Sequence, residues 1–235
     1  MHFLRPAAER GQTRTKWLNS YHTFSFGNYY DPQFMGFSDL RVINDDIVEP
    51  ARGFDMHPHN NMEIISIVLS GELEHKDSMG NGSVIRAGEI QKMTAGSGIL
   101  HSEFNPSDKE QVHFLQIWIM PDLRDLRPDY LQKKFSEKEL KNRLHLIVSP
   151  DGADDSIQIH QNAEIYQSLL DAGQTVKYKI SANRAVWLQI AAGSVTLNNT
   201  PLVAGDGYAL WNEDTEIELR GIDNQSNILL FNLSK

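Results

Sequence analysis

The chain is expected to be all-β and built of two modules, on three observations. Short apolar or alternating segments recur along most of its length, glycine-, asparagine- and aspartate-rich turns separate them, and a charge-rich stretch after Pro121 divides them into two sets. Strands of this length and spacing predict sandwiches or barrels. The second set has the pattern of a divergent duplicate of the first. The expected division is residues 1–125, a linker with a short helix at 126–142, and residues 143–235.

Residues 1–20 are polar and irregular in pattern. From Trp17 to Phe26 the chain alternates, which sets Tyr21, Thr23 and Ser25 opposite His22, Phe24 and Phe26. Gly27-Asn28 closes that run and Asp31-Pro32 opens a loop. A strand is predicted from Phe37 to Ile43, ended by an acidic turn at Asn44-Asp45-Asp46. After the run Ile64-Ile65-Ser66-Ile67-Val68-Leu69, Ser70-Gly71 turns the chain into Glu72–Asp77. Met79-Gly80-Asn81-Gly82 is a strong hairpin signal. Further strands are predicted at Ser83–Arg86, Ile90–Thr94 and Val112–Met120. In the charge-rich break, Tyr130, Lys134 and Lys138 lie at helical spacing, so a short surface helix or linker is predicted there. The second set comprises Leu144–Val148, Ile157–His160, Thr175–Ile180, Val186–Ile190, Val195–Leu197, Tyr208–Trp211, Ile217–Leu219 and Ile228–Leu233.

Composition narrows the chemistry. With 235 residues, 40% of them hydrophobic and 23% charged, the chain has ample material for buried cores. A net charge of −9 with no long basic run argues against direct nucleic-acid binding. The absence of cysteine excludes disulfides, thiolate catalysis and cysteine-ligated zinc or iron–sulfur centres. The start lacks the apolar core of a signal peptide and no run reaches membrane-spanning length, so a cytoplasmic protein without a membrane partner is expected.

One stretch stands out: Gly53-Phe54-Asp55-Met56-His57-Pro58-His59-Asn60-Asn61-Met62-Glu63. Read as strand, it puts His57 and His59 on one face. Proline between them suits an irregular strand start, since it has no amide to give a ladder. About forty residues on, the same period aims His101 and Glu103 at a common point. Three neutral imidazoles and one carboxylate suit a divalent transition ion such as iron, nickel, copper or zinc. The residual positive charge favours an anionic oxygen ligand and lowers the pKa of coordinated water or enol. With open coordination positions, O2 chemistry on a bound organic anion follows. The blander reading, three separately satisfied strand histidines, does not account for a HPH pair and a HxE pair together. Glu63 is expected to orient an imidazole rather than bind the ion itself.

Other candidates carry less. His75 lies on a polar strand and is expected to be solvated or hydrogen-bonded. His113 alternates with Leu115, Ile117 and Ile119 as a packed residue with one satisfied nitrogen, and His22 is expected to anchor a turn. His2, His145 and His160 have no partner at chelating spacing. Phe24, Phe26, Phe54 and Met56 suit either a pocket wall or ordinary core. Gly96-Ser97-Gly98 is a tight turn rather than a phosphate loop, and no Ser-His-Asp arrangement is recognisable.

Several runs together resemble the pirin family of the cupin superfamily: His22-Thr23-Phe24-Ser25-Phe26 with Tyr29 and Tyr30, Gly36-Phe37, Leu40 to Asp46, Gly53-Phe54 to His59, Glu63, His75-Lys76-Asp77-Ser78, His101-Ser102-Glu103 and Leu115-Gln116-Ile117-Trp118. They cover most of residues 17–121. The second half resembles the family only in its β pattern. The resemblance implies a bicupin, two stacked jelly-roll-like β-barrels with metal in the first only, and His57, His59, His101 and Glu103 as the ligands. It implies iron first, with nickel, manganese, cobalt, copper and zinc as the other candidates. Some bacterial members are similar to quercetin 2,3-dioxygenases, which open a flavonol ring with O2 and release carbon monoxide. A small aromatic substrate and O2 are then the partners, and Glu103 is the nearest base for the flavonol 3-hydroxyl. A second reading is non-catalytic: a metal-loaded regulatory protein that acts through a protein partner, as a transcriptional cofactor or regulator of a metabolic enzyme, and senses metal redox state.

Overall fold

The computed structural model describes residues 1–235, and its regular elements are nearly all strands, paired antiparallel except Ile157–Gln158. The chain forms two compact units: residues 11–135 with 159–161, and residues 1–10 with 136–158 and 162–235.

The first unit has a seven-stranded and a four-stranded sheet. The larger runs in the order Asp129–Lys134, Glu89–Thr94, Glu63–Ser70, Val112–Ile119, Leu40–Val48, Leu18–His22 and Gly11–Arg14. The smaller runs Gly53–His59, Ile99–Phe104, Glu72–Asp77 and Gly82–Arg86. Val48, Val68, Leu73, Ile85, Val112 and Phe114 form an apolar cluster drawn from both sheets. At about 2 kcal/mol for each large aliphatic side chain taken from water, such clusters hold the sheets together. A second apolar cluster holds Ile64, Met93, Ala95 and Ile99, and between the sheets Ser66 and Gln116 on the larger reach Glu103 on the smaller. The hairpin expected at Met79–Gly82 joins Glu72–Asp77 to Gly82–Arg86.

The second unit repeats the plan with a seven-stranded and a four-stranded sheet. Its interior is filled by aliphatic side chains, including Val186, Leu188, Val195, Leu197, Ile217, Leu219, Ile228 and Leu230. Strands Thr175–Ile180 and Ser226–Ser234 fall where the pattern predicts them, whereas Glu164–Leu170 and Thr200–Val203 lie outside the predicted set.

Four expectations are corrected. Residues 1–20 are not irregular: His2–Arg5, Gly11–Arg14 and Leu18–His22 are strands, because ladder hydrogen bonds, distant for the first and within a hairpin for the other two, order a backbone whose side chains show no pattern. Residues 1–10 therefore pack in the second unit rather than with 11–125, through the pairing of His2–Arg5 with Gly207–Trp211. The stretch 126–142 is not mainly linker. Asp129–Lys134 pairs with Glu89–Thr94 as an edge strand, and the helix is one turn, Glu137–Leu140, closed by a capping box between Ser136 and Glu139. Asn44-Asp45-Asp46 is not a turn but the middle of strand Leu40–Val48, bonded on both sides.

Candidate metal centre

The site lies on the smaller sheet of the first unit. Gly53–His59 and Ile99–Phe104 pair antiparallel, with His101 directly opposite His57 and Ile99 opposite His59. Close approach of the two strands requires Gly53, where a Cβ would stand 2.2 Å from the Glu103 carbonyl oxygen. The ladder shifts register between His101 and Glu103, a bulge of the kind that re-aims a side chain next to a site.

The three imidazoles converge. Ring centroids are 4.4 Å apart for His57 and His101, 4.8 Å for His57 and His59, and 4.9 Å for His59 and His101. One nitrogen from each lies within 4.8 Å of the others. His57 donates from Nδ1 to the Asp55 carbonyl at 2.7 Å, which leaves its Nε2 lone pair free. His101 is fully buried and its Nε2 has no partner. His59 packs edge-on against Trp118 at 4.9 Å. Burial first, then the neighbouring imidazoles, lowers His59 to about 4 and His101 to about 3, so both present lone pairs rather than protons. An unpartnered, buried, neutral nitrogen facing two more imidazoles fits a divalent ion and little else.

Glu103 lines the same cavity as His57 and His59. Its Oε1 accepts from Ser66 at 3.2 Å and its Oε2 from Gln116 at 2.6 Å, so both oxygens have fixed directions. The compact cluster itself consists of the three histidines. Glu63 does not orient an imidazole as expected. It is fully buried, accepts from Thr94 at 3.0 Å and keeps Oε1 unpartnered, with burial the main cause of its rise to about 7. Strand register sets it directly opposite Thr94, with Lys92 on the same neighbouring strand close enough to act on its charge.

Beside the cluster opens a cavity of about 530 Å³. Trp17, Phe26, Phe54 and Trp118 give it aromatic walls, whereas Ser20, His22, Asn44, Asp46, Glu103 and Gln116 give it a polar one. Phe24 is core instead, and Met56 is exposed. His22 does not serve a turn. Its Nδ1 bonds Asn44 and its Nε2 bonds Thr13, both at 2.8 Å, on the cavity wall. Asp46 is buried with Oδ1 unpartnered. Burial raises its carboxyl to about 7, opposed by a hydrogen bond from Ser20 and reinforced by the charges of Glu103 and Asp45. Asn44 and Asp46 escaped the sequence reading because acidic clusters favour turns. The available signal was the unbroken alternation Val42, Asn44, Asp46, Val48, buried at every member.

Of the two alternatives for His75, the hydrogen-bonded one holds: it is fully buried beside His101 and bonds Asp77 through Nε2 at 3.1 Å, while His113 bonds Asp45 through Nε2 at 2.6 Å. For Asp77, burial works to raise the carboxyl, but hydrogen bonds from Asn81, His75 and Met79 together hold it below its ordinary range.

Two such β units, with a histidine cluster on a strand pair of the first, define a bicupin of the metal-binding kind. The chain belongs to the pirin family: residues 4–119 match the Pirin family model and residues 146–233 match the quercetinase C-terminal cupin domain. It is 48% identical to a quercetin 2,3-dioxygenase of Escherichia coli strain K12, over 99% of each chain. A putative quercetin 2,3-dioxygenase of Pasteurella multocida is 44% identical over 98% of each. The crystal structure of YhhW from Escherichia coli superposes with a TM-score of 0.94, covering 99% of this chain and 97% of that one at 48% identity. The structure of the Escherichia coli bacterial pirin YhhW in complex with nickel(II) superposes at 0.93, covering 100% and 99% at 47% identity. The cupin fold, the histidine cluster and the nickel-bound relative together support a divalent metal here. No helix is long and apolar enough to cross a membrane.

Proposed function

We propose that this protein is a metal-dependent dioxygenase that opens the ring of a flavonol such as quercetin with O2 and releases carbon monoxide. The observation that carries the reading is the unpartnered, buried Nε2 of His101 facing His57 and His59 at the edge of a cavity with aromatic walls. Its volume lies in the range of small-molecule sites, about 300–1,000 Å³.

His57, His59, His101 and Glu103 would hold the ion. When bound, a divalent transition metal supplies Lewis acidity toward an ionised enol and an electron-accepting centre for O2 chemistry. The remaining work falls to side chains. Trp17, Phe26, Phe54 and Trp118 offer flat apolar faces to a planar ring system. Asp46 and Asn44 meet ring hydroxyls, with Asp46 bringing an acceptor oxygen that has no other partner. Glu103 takes the proton of the 3-hydroxyl at a carboxylate oxygen. Ser66 and Gln116 hold that carboxylate in place throughout.

The metal is a separate question from the donor set. Sequence resemblance puts iron first and a relative's structure contains nickel(II), so both are the first to load. Protein reconstituted with each of iron, nickel, manganese, cobalt and copper is mixed with quercetin in air, and loss of flavonol absorbance is followed with carbon monoxide release. Turnover that vanishes in His59→Ala and Glu103→Ala supports the reading; absence of turnover with every metal overturns it.

A further inference from the structure

We propose that Asp77 and His75 are positioning residues that set the tautomer of His101. The inference rests on the metal-centre reading. The run His75-Lys76-Asp77-Ser78 takes no part in the chemistry above, yet two of its side chains are sealed behind the site. His75 is fully buried on strand Glu72–Asp77, which pairs with the His101 strand so that Asp77 lies opposite His101 and His75 opposite Glu103.

Donor accounting fixes the direction of the chain. Asp77 Oδ1 accepts the backbone amides of Met79 at 2.9 Å and Asn81 at 3.0 Å, and Oδ2 accepts Asn81 Nδ2 at 2.8 Å. This carboxylate is an acceptor only, so His75 Nε2, 3.1 Å from Oδ2, carries a hydrogen. In the tautomer with its one hydrogen on Nε2, the ring has a lone pair on Nδ1. Two groups face that lone pair: Gln91 Nε2 at 3.5 Å and His101 Nδ1 at 3.4 Å. His101 therefore donates from Nδ1, which leaves Nε2 bare, and Nε2 is the buried nitrogen without a partner. Tyr130 stacks on His75 at 4.8 Å and 24°, which holds the ring plane. With the proton on His75 Nδ1 instead, the whole chain reverses and a hydrogen on His101 Nε2 points where the ion must sit. His57 meets the same requirement with a backbone carbonyl; His101, facing the interior, uses a carboxylate relayed through a second imidazole.

Asp77→Asn tests the direction. The asparagine oxygen can keep the turn amides, while its NH2 donates to His75 Nε2 and reverses both tautomers, as a change from carboxylate to amide beside a histidine does. The experiment uses full-length metal-free protein labelled with 15N-histidine, whose imidazole resonances report which nitrogen is protonated, together with calorimetric titration of Ni(II). Expected is His101 with bare Nε2 in the wild type, a proton on Nε2 in Asp77→Asn, and a fall in nickel affinity of about 10–100-fold. A folded Asp77→Asn protein whose His101 Nε2 stays bare overturns the proposal. If Asp77→Asn does not fold, His75→Phe, which keeps a ring against Tyr130 but has no acceptor, decides: the Nε2 resonance leaves its bare position, or the proposal fails. Wild-type protein that takes up no nickel refutes the metal centre, whereas the tautomers of metal-free protein are read independently of it.

Discussion

Replacing Glu63 with glutamine tests the electrostatics of the interior beneath the site. Glu63 is fully buried, and burial is the main cause that raises its carboxyl from 4.5 to about 7, with Lys92 and Thr94 opposing. A carboxyl raised on folding contributes its stability fully below its unfolded value of 4.5, and that contribution is lost as pH rises through about 7. At about 1.4 kcal/mol for each tenfold in proton affinity, the loss between pH 4.5 and pH 8 is about 3 kcal/mol. Glu63→Gln is neutral throughout and can still accept from Thr94, so it escapes that loss. His59 and His101, lowered on folding, push the wild-type profile the other way at acid pH, and Asp46 pushes it the same way as Glu63. The measured quantity is therefore the difference between the two metal-free proteins, from urea denaturation at a series of pH values. Glu63→Gln should gain about 3 kcal/mol on the wild type from pH 4.5 to pH 8. Parallel profiles would refute the reasoning, because Glu63 would then be ionised in a solvated setting.

Gly53→Ala places a Cβ 2.2 Å from the Glu103 carbonyl oxygen and 2.5 Å from Phe104 Cα, both backbone, so the strand pair must part. Thermal and urea unfolding should show a loss of about 1–3 kcal/mol, with weaker nickel binding by titration because His57 and His101 move apart. Gln116→Leu removes the donor to Glu103 Oε2 and the acceptor of the Trp118 indole N–H. A buried carboxylate oxygen left without its donor costs about 1–3 kcal/mol, and quercetin turnover of the loaded protein should fall at least about tenfold. Asp46→Asn changes the unpartnered oxygen of the cavity wall. Steady-state kinetics should show kcat/KM for quercetin down about tenfold, the equivalent of one hydrogen bond, with nickel affinity unchanged in calorimetry.

The class of fold and the three histidines were legible because both follow from local rules. Alternation with period two is a property of one strand, so His57 with His59, and His101 with Glu103, read directly as shared faces. Turn signals such as Gly80 in the Glu72–Arg86 hairpin are likewise local. What local rules do not contain is which strand lies beside which. Asn44-Asp45-Asp46 carries turn chemistry, yet strands on both sides pair with it and turn Asn44 and Asp46 into a cavity wall. Residues 2–5 show no useful pattern and are ordered by a strand some two hundred positions away. Glu63 and His75 illustrate the same limit at the site. One faces Thr94 rather than an imidazole, and the other is sealed between Asp77 and His101, although their own neighbours in sequence hint at neither. The amino-acid sequence alone therefore determined the β architecture and which side chains share a strand face, since side-chain direction along an extended chain is intrinsic; the pairing of Gly53–His59 with Ile99–Phe104 brought His101 to His57. Tertiary structure decided what surrounds those donors, because long-range backbone pairing is satisfied first and polar side chains then take the partners that it leaves within reach.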